Sequence, residues 1–171
     1  MRTLPFCKIV VVPCFIALCG ISCRTVFAQE TFRYKANGYV YYGAAAPMSD
    51  SGAINYPVGI GGGGEFFLVR GLATGADFGY YTNPDYRNVN FNLFSANVGY
   101  HFKSRTAFHR VDPYVVGGWG LFNSEGNYNF GFFGFGLDIW AHRRLGARVE
   151  TRIYVNSMEA LGTFRAALVL R

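Results

Sequence analysis

Three arrangements in this sequence have residue types that could carry chemistry. The first is His101-Phe102-Lys103-Ser104, a histidine near a serine. A serine nucleophile needs its base adjacent. In a strand, a spacing of three puts the two side chains on opposite faces, so no acyl-transfer centre of the lipid A-modifying kind is expected. The second is the run Gly59–Gly64 followed by Glu65. A phosphate loop would need a lysine and a helix start after it. Strand residues follow instead, so the glycines read as close strand packing or a bulge. The third is a set of single charges inside apolar segments: Lys35, Glu65, Asp77, Asp138, Arg148, Glu150, Arg152 and Arg165. Acids and bases so placed can pair with one another, and this set is expected to form an ionic network. No catalytic residue is expected.

Metal and cofactor chemistry has little to work with. His101, His109 and His142 do not stand at metal-ligand spacing from one another or from a cysteine. All four cysteines (Cys7, Cys14, Cys19 and Cys23) lie in the first 28 residues. That stretch reads as an export signal: Arg2 and Lys8, an apolar core from Ile9 to Ile21, then Val26-Phe27-Ala28 for cleavage. The core is about 13 residues long, short of the roughly 20 that a spanning helix needs. The expected organisation is a signal peptide over 1–28 and one domain over 29–171.

Removal of that segment would leave a domain without cysteine, and hence without disulfides or thiolate metal sites. Three of the 16 basic residues lie within it and none of the 10 acidic ones, so the domain carries 13 − 10 = +3. That charge is too small to argue for nucleic acid.

The elements that would position the charges are strands. Segments of about ten residues, rich in Tyr, Phe, Val and Gly, alternate with turn signals. They span Arg33–Ala46, Tyr56–Val69, Leu72–Thr82, Asn90–Phe102, Tyr114–Phe122, Asn129–Ala141, Leu145–Val155 and Thr163–Leu170. Connections near Arg70-Gly71 and His142–Arg144 are tight. Those at 47–55, 83–89, 123–128 and 156–162 are longer and polar, and each holds an acid: Asp50, Asp85, Glu125 or Glu159. Lys103–Pro113 is a long connection on the short-turn side. Short turns at one end and long loops at the other is the pattern of outer-membrane barrels.

Residue size decides which face points where. In Phe132–Ala141 one face carries Phe133, Phe135, Leu137 and Ile139. The other carries Gly134, Gly136 and Asp138 between Phe132 and Trp140. Leu72–Tyr81 divides in the same way around Asp77. A soluble barrel turns a polar face to water, and Lys, Glu and Thr should crowd it. A face of glycine, alanine and lone charges fits the cramped interior of an eight-stranded barrel. The bulky face must then meet lipid. Both faces of Tyr114–Phe122 are apolar, so its orientation stays open. Tyr39, Tyr41, Tyr42, Tyr56, Tyr80, Tyr81, Tyr100, Tyr114, Trp119 and Trp140 sit towards strand ends, where aromatic rings favour the bilayer interface.

Particular stretches carry a resemblance. PYVVGGWGLF, GFFGFGLDIW followed by HRRLGARVETRIYV, and GGGGEFFLVRGLATGADFGYY resemble strands and hairpins of small outer-membrane β-barrel families. These are the families related to the transmembrane domain of outer-membrane protein A. The resemblance covers most of residues 31–171 and departs at the end, Leu170-Arg171, where many such barrels carry an aromatic residue. It implies an all-β, closed, antiparallel up-and-down transmembrane barrel of about eight strands, located in the outer membrane.

The function expected is structural or surface-interacting. Outer-membrane lipid would lie around the wall, and any extracellular partner would meet the four longer loops. A monomer is expected, because a closed barrel has no strand edge that demands pairing. Other readings are a soluble periplasmic lipocalin-like barrel that binds a small apolar ligand, a lipid A-modifying barrel enzyme, and a narrow ion pore.

Overall fold

A computed structural model describes residues 35–47, 56–69, 71–83, 90–102, 110–124, 126–157 and 160–171. Eight strands follow one another: β1 Ala36–Pro47, β2 Val58–Val69, β3 Leu72–Thr82, β4 Asn90–His101, β5 Val111–Asn123, β6 Asn127–Trp140, β7 Leu145–Val155 and β8 Ala160–Leu170. Each pairs antiparallel with the next, and β8 pairs with β1, so the sheet closes on itself. No strand edge is left without a partner, which is the condition for placing a sheet in hydrocarbon.

The register fixes the shape. From Ala36 the paired positions run through Phe66, Thr74, Val98, Gly117, Phe133, Ile153 and Gly162. Gly162 pairs with Ala46, so one circuit shifts the chain by 46 − 36 = 10 residues. With strands about 4.8 Å apart and about 3.3 Å per residue, that shift tilts eight strands by about 40°. The resulting tube is only wide enough for side chains to fill.

Turns follow the local sequence. Gly71 turns the chain between β2 and β3 with φ 91°, a conformation that costs an L side chain about 1–2 kcal/mol. Between β6 and β7 the turn Ala141–Arg144 is closed by the His142 N–H donating to the Leu145 carbonyl at 3.0 Å. Lys103–His109, in the long connection on the short-turn side, lies outside the described residues. The end of that connection, from Val111, already belongs to β5.

The two faces of the wall are opposite in character. Phe133 (53% exposed), Phe135 (57%), Leu137 and Ile139 point outward, while Phe132, Gly134, Gly136, Asp138 and Trp140 of the same strand are buried. The strand that the sequence left open is settled: Tyr114, Val116 and Phe122 point inward, and Val115 and Trp119 outward. The expected aromatic belt needs correction. Tyr39, Tyr41, Tyr81, Tyr114 and Trp140 are buried in the lumen, whereas Tyr42, Tyr56, Tyr80 and Trp119 face out. The two-residue period of a strand sends the first group inward, and facing glycines leave room for the rings. A Cβ at Gly136 would meet the Tyr114 ring at 2.5 Å, and one at Gly63 would meet the Tyr39 hydroxyl at 2.8 Å.

Candidate functional site: the filled lumen

The lumen divides along its axis. Towards the long loops it holds rings: Tyr81 stacks on Phe91 at 4.9 Å, and Phe122 packs against Phe91, Phe130 and Tyr154. Leu93 is buried among the same apolar group. Offset and edge contacts of this kind suit aromatic quadrupoles and exclude water.

Towards the short turns it holds charges. Arg148 of β7 is the centre of one cluster. Its guanidinium donates to both oxygens of Glu65, at 2.8 and 2.9 Å, and to both oxygens of Asp138, at 2.6 and 2.9 Å. Two bidentate pairs use the planar fork fully, which is the arrangement that most favours arginine over lysine. The same guanidinium lies between the Tyr39 and Tyr114 rings, 4.7 and 4.6 Å from their centroids. His101 sits beside it, with Nε2 3.4 Å from Glu65 and Nδ1 3.8 Å from Asp138, and it stacks on Tyr114.

A second cluster centres on Asp77 of β3. Asp77 accepts from Arg152 of β7 at 2.8 Å and from Arg165 of β8 at 2.9 Å. Arg152 is also 2.7 Å from Glu150, and Glu150 accepts from the Tyr114 hydroxyl at 2.7 Å. Arg165 donates to the Tyr154 hydroxyl at 2.8 Å, and that oxygen is in turn 3.2 Å from Ser95. The Arg152 guanidinium lies over Phe132 and that of Arg165 over Tyr41. Cations over ring faces recover part of the attraction lost on leaving water.

A third group lies at the short-turn rim. The Trp140 indole N–H donates to Asp112 at 2.8 Å, and Arg171 reaches the same carboxylate at 2.5 Å. The Arg171 guanidinium lies over Trp140, 3.3 Å from a ring centroid.

Seven of the eight charges expected from sequence therefore meet in the lumen: Glu65, Asp77, Asp138, Arg148, Glu150, Arg152 and Arg165. Lys35 does not. It is exposed at the bend before β1: its carbonyl still accepts from the Phe67 N–H at 2.9 Å, but it stands at the rim, where the side chain is open to solvent. Two participants were missed. Asp112 fell inside the long connection, and Arg171 lay beyond the last expected strand. His101 shares its strand face with Asn97 and Gly99, and alternation turns all three inward.

Chemically, the arrangement joins strands across the tube. Its acids are engaged by guanidinium groups, and among the described residues no cluster of His, Cys, Asp and Glu is arranged to hold a metal ion. The lipocalin-like reading required an apolar, ligand-sized lumen, and the ionic clusters occupy that space instead.

A tube of eight strands with charges inside and Phe, Leu, Ile and Val outside is built for lipid. Solved structures share this fold. Ail, the attachment invasion locus protein of Yersinia pestis, matches with TM-score 0.61 at 14% identity, over 81% of this chain and 99% of that one. Neisserial surface protein A matches with TM-score 0.56 at 15% identity, over 83% and 99%. The N-terminal β-barrel domain of Pseudomonas aeruginosa OprF matches with TM-score 0.54 at 16% identity, over 82% and 100%.

The chain has the fold of the small outer-membrane β-barrels.

At these identities the likeness concerns the fold. No protein-family model matches the chain. No curated protein matches it either. A de novo designed transmembrane β-barrel also matches, with TM-score 0.55 at 17% identity, over 81% and 97%. A designed sequence reaching the same architecture shows that it follows from patterning and needs no shared activity. The interior of an eight-stranded barrel is only just wide enough for side chains, and the three side-chain groups described above lie in it here.

Proposed function

We propose that this chain is an exported, monomeric, non-enzymatic barrel of the outer membrane, with a lumen shut by its own side chains and its activity confined to its surface. One observation carries the reading. Asp77, Arg152 and Arg165 join β3, β7 and β8 across the interior while the apolar side chains face out. Residues 1–28 would direct export and be removed. The ion pairs and the aromatic tier together leave little room for a solute path, which argues against a pore. His101 stands between Glu65 and Asp138, which places it in the ionic cluster.

Loops 47–55, 83–89, 123–128 and 156–162 would supply the contact surface, and most of their residues lie outside the described ones. Ail has been solved with the heparin analogue sucrose octasulfate, a polyanion. The loops of this chain carry Asp50, Asp85, Glu125 and Glu159 against Arg87 alone, so a cationic partner fits them better.

The test has two parts. Cell-envelope fractions are run on gels with and without boiling, and a folded barrel should pellet with envelopes and shift in mobility on heating. The purified protein is then added to planar bilayers. Silence supports the closed lumen, and large stable current steps would overturn it.

A further inference from the structure

Among the described residues, the exposed charge has one sign and one location. All five acids among the described residues (Glu65, Asp77, Asp112, Asp138 and Glu150) are buried. The exposed basic residues are Lys35, Arg110, Arg143 and Arg144, and all lie at the short-turn end. Three of them cluster along the ring, with Arg110 leading into β5 and Arg143 and Arg144 turning β6 into β7, while Lys35 stands beyond β8, before β1.

The backbone beneath the arginines is fixed. The Arg110 carbonyl accepts from the Trp140 N–H at 2.7 Å, and the Arg144 carbonyl accepts from the Arg171 N–H at 3.0 Å. The acid nearest this rim, Asp112, is held by Trp140 and Arg171, so it offers the rim arginines no local counter-charge. Their depth also matters. Ile139 and Leu145 flank the β6–β7 turn and are exposed on the apolar wall. Arg143 and Arg144 therefore leave the wall where hydrocarbon gives way to headgroups.

We propose that this rim is a binding surface for the phosphate headgroups of anionic phospholipid in the leaflet on the short-turn side. Guanidinium groups grip phosphate through paired N–H donors, and a cluster of them beside a bilayer is drawn to anionic lipid. The proposal rests on the membrane reading above.

The experiment uses the protein refolded into phosphatidylcholine bilayers containing a minor fraction of spin-labelled phosphatidylglycerol or phosphatidylcholine. Spectra report the lipid held against the barrel, and heat-modifiability is recorded on the same samples. The expected result is a preference for phosphatidylglycerol of about fivefold or more that falls as salt is raised. In the R110Q/R143Q/R144Q variant, altered only at exposed positions outside the strands, the preference should fall towards one while the gel shift persists. A wild-type barrel that shifts on heating yet shows no preference overturns this inference alone. A variant that keeps the full preference also overturns it. Displacement by inorganic phosphate, beyond that caused by sodium chloride of equal ionic strength, would assign the rim to a free ion and overturn the lipid assignment. A protein that shows no gel shift overturns the membrane reading first, and this inference with it.

Discussion

Arg152 and Asp77 meet at 2.8 Å across the full width of the lumen, from β7 and β3, strands four places apart in a ring of eight. No backbone hydrogen bond connects those strands. The wall is therefore tied around its circumference by the sheet and across its diameter by charge. A buried pair of this kind need not be more stabilising than apolar residues of equal volume, but removing one member strands the other.

Asp77→Asn tests that consequence. The change keeps the volume and leaves Arg152 and Arg165 without their shared carboxylate. Urea unfolding of the barrel refolded into lipid vesicles should show a loss of about 3–5 kcal/mol. A loss below about 1 kcal/mol would mean that the crossing pair is not a structural tie.

Two glycines of the same wall should respond oppositely. At Gly136 a Cβ would meet the Tyr114 ring at 2.5 Å, so Gly136→Ala should cost about 1–3 kcal/mol by overpacking. At Gly38, on the outer face, the nearest atom to a Cβ is the Gly63 carbonyl oxygen at 4.0 Å. Gly38→Ala should be neutral, or stabilise by up to about 1 kcal/mol through the unfolded chain. The same unfolding assay ranks them, and equal effects would contradict the assignment of inner and outer faces.

Phe135→Arg addresses lipid against water. Phe135 is exposed near the middle of β6. In hydrocarbon the arginine should cost about 2–4 kcal/mol and lower the yield of heat-modifiable protein. A barrel standing in water would tolerate the change or become more soluble.

Arg171→Ala examines the rim. Asp112 would keep only the indole N–H of Trp140, and the ring would lose the guanidinium lying on it. An expected loss of about 1–3 kcal/mol follows from a buried acid left short of partners. Trp140 fluorescence should shift to longer wavelength as water reaches the ring, and an unchanged spectrum would count against the contact.

Much of this architecture was legible in the order of residues. Alternation located the strands, and the limits of β3 and β7 agree with the sequence reading to the residue. Glycine and alanine beside Asp77 and Asp138 marked the inner wall, because a narrow tube cannot hold large side chains on every strand. The partners of each charge were not legible. Glu65 and Arg148 are 83 positions apart, and their meeting depends on the shift accumulated around the closed sheet. Inward tyrosines were missed for a related reason. A ring near a strand end suits the bilayer interface and the lumen equally until a facing glycine on another strand makes room for it. Lys35 was misplaced because alternation runs on to the rim, where an inward position no longer has a lumen to fill.

The ten-residue slip that closes the cylinder is an even number, and parity governs how this wall can change over time. Where strands meet at the seam, an even offset lets inward meet inward. Loss or gain of one residue inside β8 would reverse every side chain beyond it, turning Arg165 towards acyl chains or Phe164 into the ionic core. Loss or gain of two would only slide the strand along its neighbours. Length variation within these strands should therefore come in pairs, whereas the connecting segments are under no such restriction.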